Sequence, residues 1–273
     1  MGAALGEGAI LWVDAIAREM TLFAALWFVI GGIDDLCVDL IYLARRLRRR
    51  QPAPLALAGP APAGRIVVFV PAWDESAVIG SMLRAALTRF DHPDYRIYVG
   101  TYPNDPATIA AVADVALADA RVRLVIGAAP GPSTKADCLN TLWRALLRDE
   151  AAEGFVASAV ALHDAEDVVH PLELRVFAHG LIDHAAVQLP VLPLAHRHSR
   201  FFAGHYLDEF AEAHGRALVV RQTVGAGLPF AGVGCAIRRE ALARLAAMRG
   251  GAPFDADSLV EDYELGLTLA TMG

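Results

Sequence analysis

Lysine is nearly missing from this chain: of 24 basic side chains, only Lys135 is a lysine. A composition heavy in alanine, glycine and arginine explains the bias, and it makes the position of the one remaining lysine informative. Cysteine is scarce too. The 3 cysteines, at 37, 138 and 235, form no CxxC pair and no even framework, which argues against a disulfide-stapled secreted fold and a cysteine-built zinc site. The GxGxxG of a dinucleotide site, the GxxxxGK[ST] of a P-loop and the HExxH of a metalloprotease are all absent. There is no surplus of positive charge either. A net charge of −7 argues against a nucleic-acid partner, because such binding needs a basic face to release counterions. What is present is apolar: 55% hydrophobic against 20% charged over 273 residues. That is too apolar for disorder, and the length suits one large domain or two small ones.

Met20 to Ala44 are interrupted only by Asp34, Asp35 and Asp39, and this stretch is long enough for a tilted membrane span. Arg45, Arg46, Arg48, Arg49 and Arg50 follow, which predicts that the C-terminal flank stays cytoplasmic. The run is too long, and its basic end is on the wrong side, for a cleaved secretory signal. Carboxylates in hydrocarbon are unfavourable unless they face a partner or a cavity. A buried or interfacial helix is therefore the alternative. Ile10–Ala17 is expected as a separate amphipathic surface helix. The expected division is an anchor region over 1–50, a proline-rich linker over 51–64 and a folded domain over 65–273.

Within that domain strands and helices alternate. Arg65–Pro71 is a continuous apolar run suited to a buried parallel strand, and Ser76–Phe90 has helical spacing. Tyr95–Val99, Val122–Ile126 and Val156–Leu162 read as further strands. Asp105–Ala118 and Lys135–Asp149 read as helices, with Pro106 in a first-turn position. The alternation predicts an α/β fold, a doubly wound, mostly parallel sheet with right-handed crossovers. Ligands of such sheets bind beyond the carboxyl ends of the strands. The polar residues gather there: Pro71-Ala72-Trp73-Asp74-Glu75 after the first strand, Thr101 to Asp105 after the second, the loop before Lys135 after the third, and His163 to Asp167 after the fourth.

Asp164, Glu166 and Asp167 lie within four residues, and their mutual repulsion is relieved by a cation or by water. Hard oxygen ligands at a strand end suit Mg2+ or Mn2+; a solvated acidic turn is the plain alternative. Lys135 opens a helix, where its charge adds to the dipole and favours an anion such as a diphosphate. Residues 229–239 form a glycine-kinked segment suited to close backbone approach. Glu261 and Asp262 begin an apolar helical stripe, either as dipole-favoured first-turn acids or as a carboxylate base aimed into the cleft. His196, His198, His205 and His214 read as surface or hydrogen-bonded histidines.

In chain order these pieces resemble the motifs of inverting family 2 glycosyltransferases with the GT-A fold, membrane-embedded members such as cellulose synthase included. The residues that carry the resemblance are Pro71–Glu75, Asp105, Lys135-Ala136-Asp137-Cys138-Leu139-Asn140, Asp164–Asp167, Phe230–Arg239 and Val260-Glu261-Asp262. The strings GTYPNDP, LHDAEDVVHP, GHYLDEFAE and EDYELGL are similar to the phage N4 adsorption protein B-like group of bacterial inner-membrane glycosyltransferases. The family's Asp-Asp-Gly after the second strand and its Q-x-x-R-W motif do not occur in the chain, which the resemblance implies is C-terminally truncated.

The resemblance implies a sugar transferred with inversion from a nucleotide-diphosphate donor, a UDP-sugar, to a glycan or lipid-linked acceptor. Envelope or secreted polysaccharide would be the product, with an outer-membrane export partner as a further expectation. Asp164, with Glu166 or Asp167, would hold Mg2+ or Mn2+. Pro71, Trp73, Asp74, Glu75, Asp105, Lys135 and Asp164 would line the donor site, and Asp262 would be the catalytic base. The implied location is the bacterial inner membrane, with the transferase domain cytoplasmic. A nucleotidyltransferase and a non-catalytic membrane receptor that keeps the fold remain the alternatives.

Overall fold

The computed structural model describes residues 2–48, 61–194, 199–258 and 260–272. Arg49, Arg50, linker residues 51–60, His196 and His198 lie outside the described residues.

One helix, α1 (Gly2–Arg48), spans both expected N-terminal segments, because Arg18, Glu19 and Met20 are good helix formers and nothing breaks the chain there. Its stretch from Ile10 to Arg48 is long and apolar enough to cross a membrane, and none of the tested apolar window is buried. Contact with the rest of the chain is made near the C-terminal end of α1. There Arg45 donates to the Val219 carbonyl at 3.0 Å and to the Thr223 hydroxyl, and Asp39 pairs with Arg216.

The domain is a six-stranded sheet in the order β3-β2-β1-β4-β6-β5. The strands are β1 (Ile66–Pro71), β2 (Tyr95–Thr101), β3 (Val122–Ile126), β4 (Ala159–Leu162), β5 (Ala186–Gln188) and β6 (Cys235–Arg238). The first four are parallel to one another, and β6 runs antiparallel between β4 and β5. The mostly parallel sheet of the sequence reading is observed; the antiparallel β6 comes from the segment read only as glycine-kinked.

The pleat sorts side chains of β1 to opposite faces. Val68 and Val70 meet α2 (Ile79–Arg89), α3 (Pro106–Ala118) and α5 (Glu173–Asp183) through Leu83, Val112 and Phe177. Val67 and Phe69 meet α4 (Lys135–Glu153), α8 (Arg239–Met248) and α9 (Glu261–Thr271) through Leu142, Leu242 and Leu265. Burial on both faces explains why β1 reads as an unbroken apolar run. Between β5 and β6 the chain forms α6 (Arg200–Glu212), a π-helical turn (Ala213–Ala217) and α7 (Leu218–Thr223), with Phe201, Phe202 and Tyr206 exposed on α6.

Three boundaries differ from the sequence reading by three residues or more. Helix α2 starts at Ile79, after a turn in which Val78 and Ile79 donate to the Glu75 carbonyl. Helix α4 runs on to Glu153, where Gly154 takes a left-handed cap at φ 69°. Strand β4 begins at Ala159, because the Ala157 N–H is already bonded to the Glu150 carboxylate.

Candidate active site

At the carboxyl end of β1 the chain turns sharply, and Asp74 sits at φ 57°, a conformation that non-glycine residues seldom adopt. The first turn of α3 holds it there. Asp105, the N-cap of α3, accepts from the Thr108 N–H at 3.2 Å and from the Asp74 N–H at 2.7 Å, while the Glu75 N–H donates to the Thr108 hydroxyl at 3.0 Å. Burial works against ionisation of Asp105, but these hydrogen bonds outweigh it and hold the carboxyl below its usual range. Asp105 is thus buried with its oxygens on backbone N–H groups, whereas Asp74 is exposed and Trp73 and Glu75 are half-buried.

Trp73 packs edge-on against Tyr102, with centroids 5.2 Å apart. The Tyr102 hydroxyl meets the Ser133 hydroxyl at 2.8 Å, and Asn104 bonds the Gly131 backbone twice, at 2.7 and 2.8 Å. The loops after β2 and β3 are thereby tied into one wall beside Trp73. Tyr102, Asn104 and Ser133 lie in the strand-end segments named from the sequence, but polar loop residues give no periodic signal that would assign them this tie. Pro71 is the last residue of β1, in register with Gly100.

Lys135 opens α4, capped by the Thr134 hydroxyl. Its ammonium donates to Asp164 Oδ1 at 2.5 Å and to the Gly232 carbonyl at 3.2 Å. Gly232 has φ +73°, and a methyl built on it would lie 2.6 Å from Asp262 Oδ2 and 3.2 Å from Lys135 Nζ. Asp262 and Lys135 therefore flank one point of backbone, and Lys135 links that point to Asp164. Four segments far apart in sequence meet here: the ends of β4 and β6's lead-in loop, and the first turns of α4 and α9. Cys235, fully buried beneath them, has its thiol pushed up to about 12, chiefly by burial. Lys135 lowers that value, while Asp262 and Asp164 raise it.

The acids form a second group around Glu75. Its pKa is raised first by burial and then by the charges of Glu166, Asp74 and Asp164, so these four carboxylates share one negative field. Asp167 points elsewhere. Its Oδ2 lies 2.8 Å from His163 Nδ1 and accepts from the Asp164 N–H at 3.0 Å. The other ring nitrogen of His163 lies 2.6 Å from Glu173 Oε1. Burial disfavours a charged imidazolium, but hydrogen bonds to these two carboxylates outweigh it and raise His163 to about 9. His163 belongs to the polar run expected after the fourth strand, but its place at the end of β4 assigns it no partner in the sequence.

Among the described residues, no three His, Cys, Asp or Glu side chains form a shell able to hold an ion by themselves. The chemistry of the donor set still fits Mg2+ or Mn2+, which characteristically use one or two carboxylates and complete their coordination with substrate phosphates and water. Asp164 and Glu166 are suited to that role by charge and by their position at the strand edge.

The fold and this site define a carboxylate-rich α/β domain with its ligand edge at the carboxyl ends of the parallel strands. The chain belongs to the family described as "Glycosyltransferase like family 2", whose model matches residues 62–273. It is 39% identical over 269 residues to bacteriophage adsorption protein B of Escherichia coli K12, and equally to bacteriophage N4 adsorption protein B of Escherichia coli O157:H7. Each match covers 96% of this chain and 36% of the relative, so the chain spans about a third of the length of these relatives. In fold it is similar to the mannosyltransferase PcManGT of Pyrobaculum calidifontis, solved in complex with GDP-Man and Mn2+. That match has a TM-score of 0.60 at 20% identity, over 90% of this chain and 63% of the other. The doubly wound sheet is that of GT-A glycosyltransferases, as the sequence motifs had implied.

Proposed function

We propose that residues 65–273 form the donor-binding and transfer domain of an inverting, metal-dependent glycosyltransferase. The donor is a nucleotide-diphosphate sugar, assigned as a UDP-sugar. The acceptor is a hydroxyl of a glycan or lipid-linked precursor of envelope or secreted polysaccharide. The observation that carries this reading is the meeting of Lys135, Asp164 and Asp262 around Gly232. It sets a cation and a strand-end carboxylate, suited to a diphosphate and its metal, beside a second carboxylate suited to act as base.

The roles follow from position. Trp73 offers a face to the nucleoside, with Asp74 and Glu75 beside it. Lys135, at the positive end of α4, binds phosphate oxygens. Asp164 and Glu166 would hold Mg2+ or Mn2+, which when bound supplies Lewis-acid stabilisation of the diphosphate leaving group. Asp262 takes the proton of the acceptor hydroxyl as that oxygen attacks the sugar's anomeric carbon. α1 anchors the domain to the bacterial inner membrane. Its arginine-rich end, which follows the apolar run, keeps the domain cytoplasmic. The Asp39–Arg216 pair supports this placement, because it gives one of the three acids in the apolar run a partner.

The test is nucleotide release from a panel of UDP-sugars and GDP-mannose, with Mg2+ or Mn2+, by the full chain in nanodiscs. Metal-dependent release from one donor is the expected result. No release from any donor, together with no binding of UDP or GDP, would overturn the reading. It would favour a non-catalytic receptor, a second reading supported by relatives named for bacteriophage adsorption.

A further inference from the structure

We propose that His163 is a positioning residue, and that with Glu173 and Asp167 it clamps the 164–167 turn so that Asp164 and Glu166 face the donor while Asp167 does not. The inference rests on the donor-site reading above and deepens it. His163 closes the end of β4, where its N–H donates to the Phe69 carbonyl of β1 at 3.1 Å. Its ring is buried, with 3% of the residue's surface exposed, and both nitrogens are engaged. Nε2 meets Glu173, itself buried in the first turn of α5, whose other oxygen accepts from the His170 N–H at 3.3 Å. Nδ1 meets Asp167 Oδ2, the atom that also accepts from the Asp164 N–H. A continuous chain of hydrogen bonds thus runs from α5 through the imidazole to the backbone of Asp164.

The arrangement has two consequences. The orientation of the 164–167 turn is set from inside the protein, so Asp164 is in place before any ligand arrives. Asp167 has its Oδ2 committed on two sides, which leaves Glu166, exposed at the tip of the turn, as the second carboxylate toward the cation. A buried network with every member satisfied is suited to such rigidity, because a half-made one leaves desolvated polar groups.

The test measures Mn2+ binding in the presence of UDP by electron paramagnetic resonance, on the full chain in nanodiscs, with thermal unfolding recorded alongside. H163Q and D167N should each weaken Mn2+ binding about tenfold, equivalent to about 1.4 kcal/mol. The double variant should be no weaker than either single, since both remove one linkage. Mn2+ affinity at the wild-type level in H163Q, with only a lowered unfolding temperature, would overturn the proposal. Losses in D167N and H163Q that add in the double variant would overturn it in favour of Asp167 as an independent ligand. Wild-type protein that binds neither Mn2+ nor UDP would overturn the donor reading, and this proposal with it. Wild-type binding with H163Q unaffected removes this proposal alone.

Discussion

Asp262 and Gly232 are the residues in closest mutual dependence at this site. Asp262 lies in the first turn of α9, where a carboxylate is favoured by the helix dipole whatever its function, so sequence position by itself could not separate a base from a helix-start acid. Its Oδ2 lies close to Gly232, beside Lys135, which is the placement the proposed base requires. Asp262→Asn keeps the shape and removes the proton acceptor. Transfer should fall by about 10²–10⁴-fold, as for loss of a positioned general base, with donor affinity by calorimetry nearly unchanged. Equal loss of binding and transfer would mark Asp262 as structural. Gly232→Ala acts differently, because its φ of +73° disfavours any side chain and the added methyl would strike Asp262. It should lower stability by about 1–2 kcal/mol in urea unfolding and reduce transfer more than nucleotide binding.

Elements bring these residues together, and α4 does most of it. Its first residue is Lys135, and one turn on, the buried Asn140 side chain bonds both the N–H and the carbonyl of Phe254, at 3.1 and 2.8 Å. Thr134 bonds the Ala256 carbonyl at 3.2 Å, so the start of α4 supports the segment that leads into α9. Asn140→Ala strands two buried backbone groups and should cost about 1–3 kcal/mol in chemical unfolding. It should also lower the rate of transfer at saturating donor, because Asp262 lies just beyond that segment. An Asn140→Ala protein with wild-type transfer would show that α9 is placed by its apolar stripe alone. The helices and strands of this region were legible as elements in the sequence: β1, β2, β3 and the start of α4 follow from apolar runs, proline and capping residues. Strand β6 was not. Three of its four residues, Cys235, Ala236 and Ile237, are apolar and cover both faces, and the glycines before it dominated the local signal; only pairing with β4 makes it a strand.

At the scale of the molecule, the sheet and α1 are joined by few contacts, so they should behave as separable units. Removing residues 1–60 should release the domain from vesicles yet leave Mn2+-dependent nucleotide binding intact; loss of binding by that truncated chain would show that α1 completes the fold. The sheet itself is held across β2, β3 and α4 by an ionic cluster in which Asp149 accepts from the Tyr98 hydroxyl at 2.7 Å and from Arg123 at 2.9 Å. Burial raises the Asp149 pKa, but Arg123 and Tyr98 outweigh it and depress it below 3.8. A carboxyl depressed in the folded state contributes fully above its unfolded value and loses that contribution as pH falls through the folded one. Acid titration of stability should therefore show a decline that begins near pH 3.8 and continues below it, and Asp149→Asn should flatten that decline. An unchanged acid profile in Asp149→Asn would place the decline elsewhere.

Periodicity, charge and the order of motifs were enough, read along the chain, to determine the apolar stretch over Met20–Ala44, the alternating α/β plan and the family, because each depends on neighbours within a few residues or on a series of short local patterns. The commitment of Asp105 and Asp167 to backbone and histidine partners, the clamp through His163, and the meeting of Lys135, Asp164 and Asp262 at Gly232 were decided only by tertiary structure. Two carboxylates with the same local sequence signal differ solely in what lies across the fold from them, and that is a matter of distance in space rather than spacing in sequence.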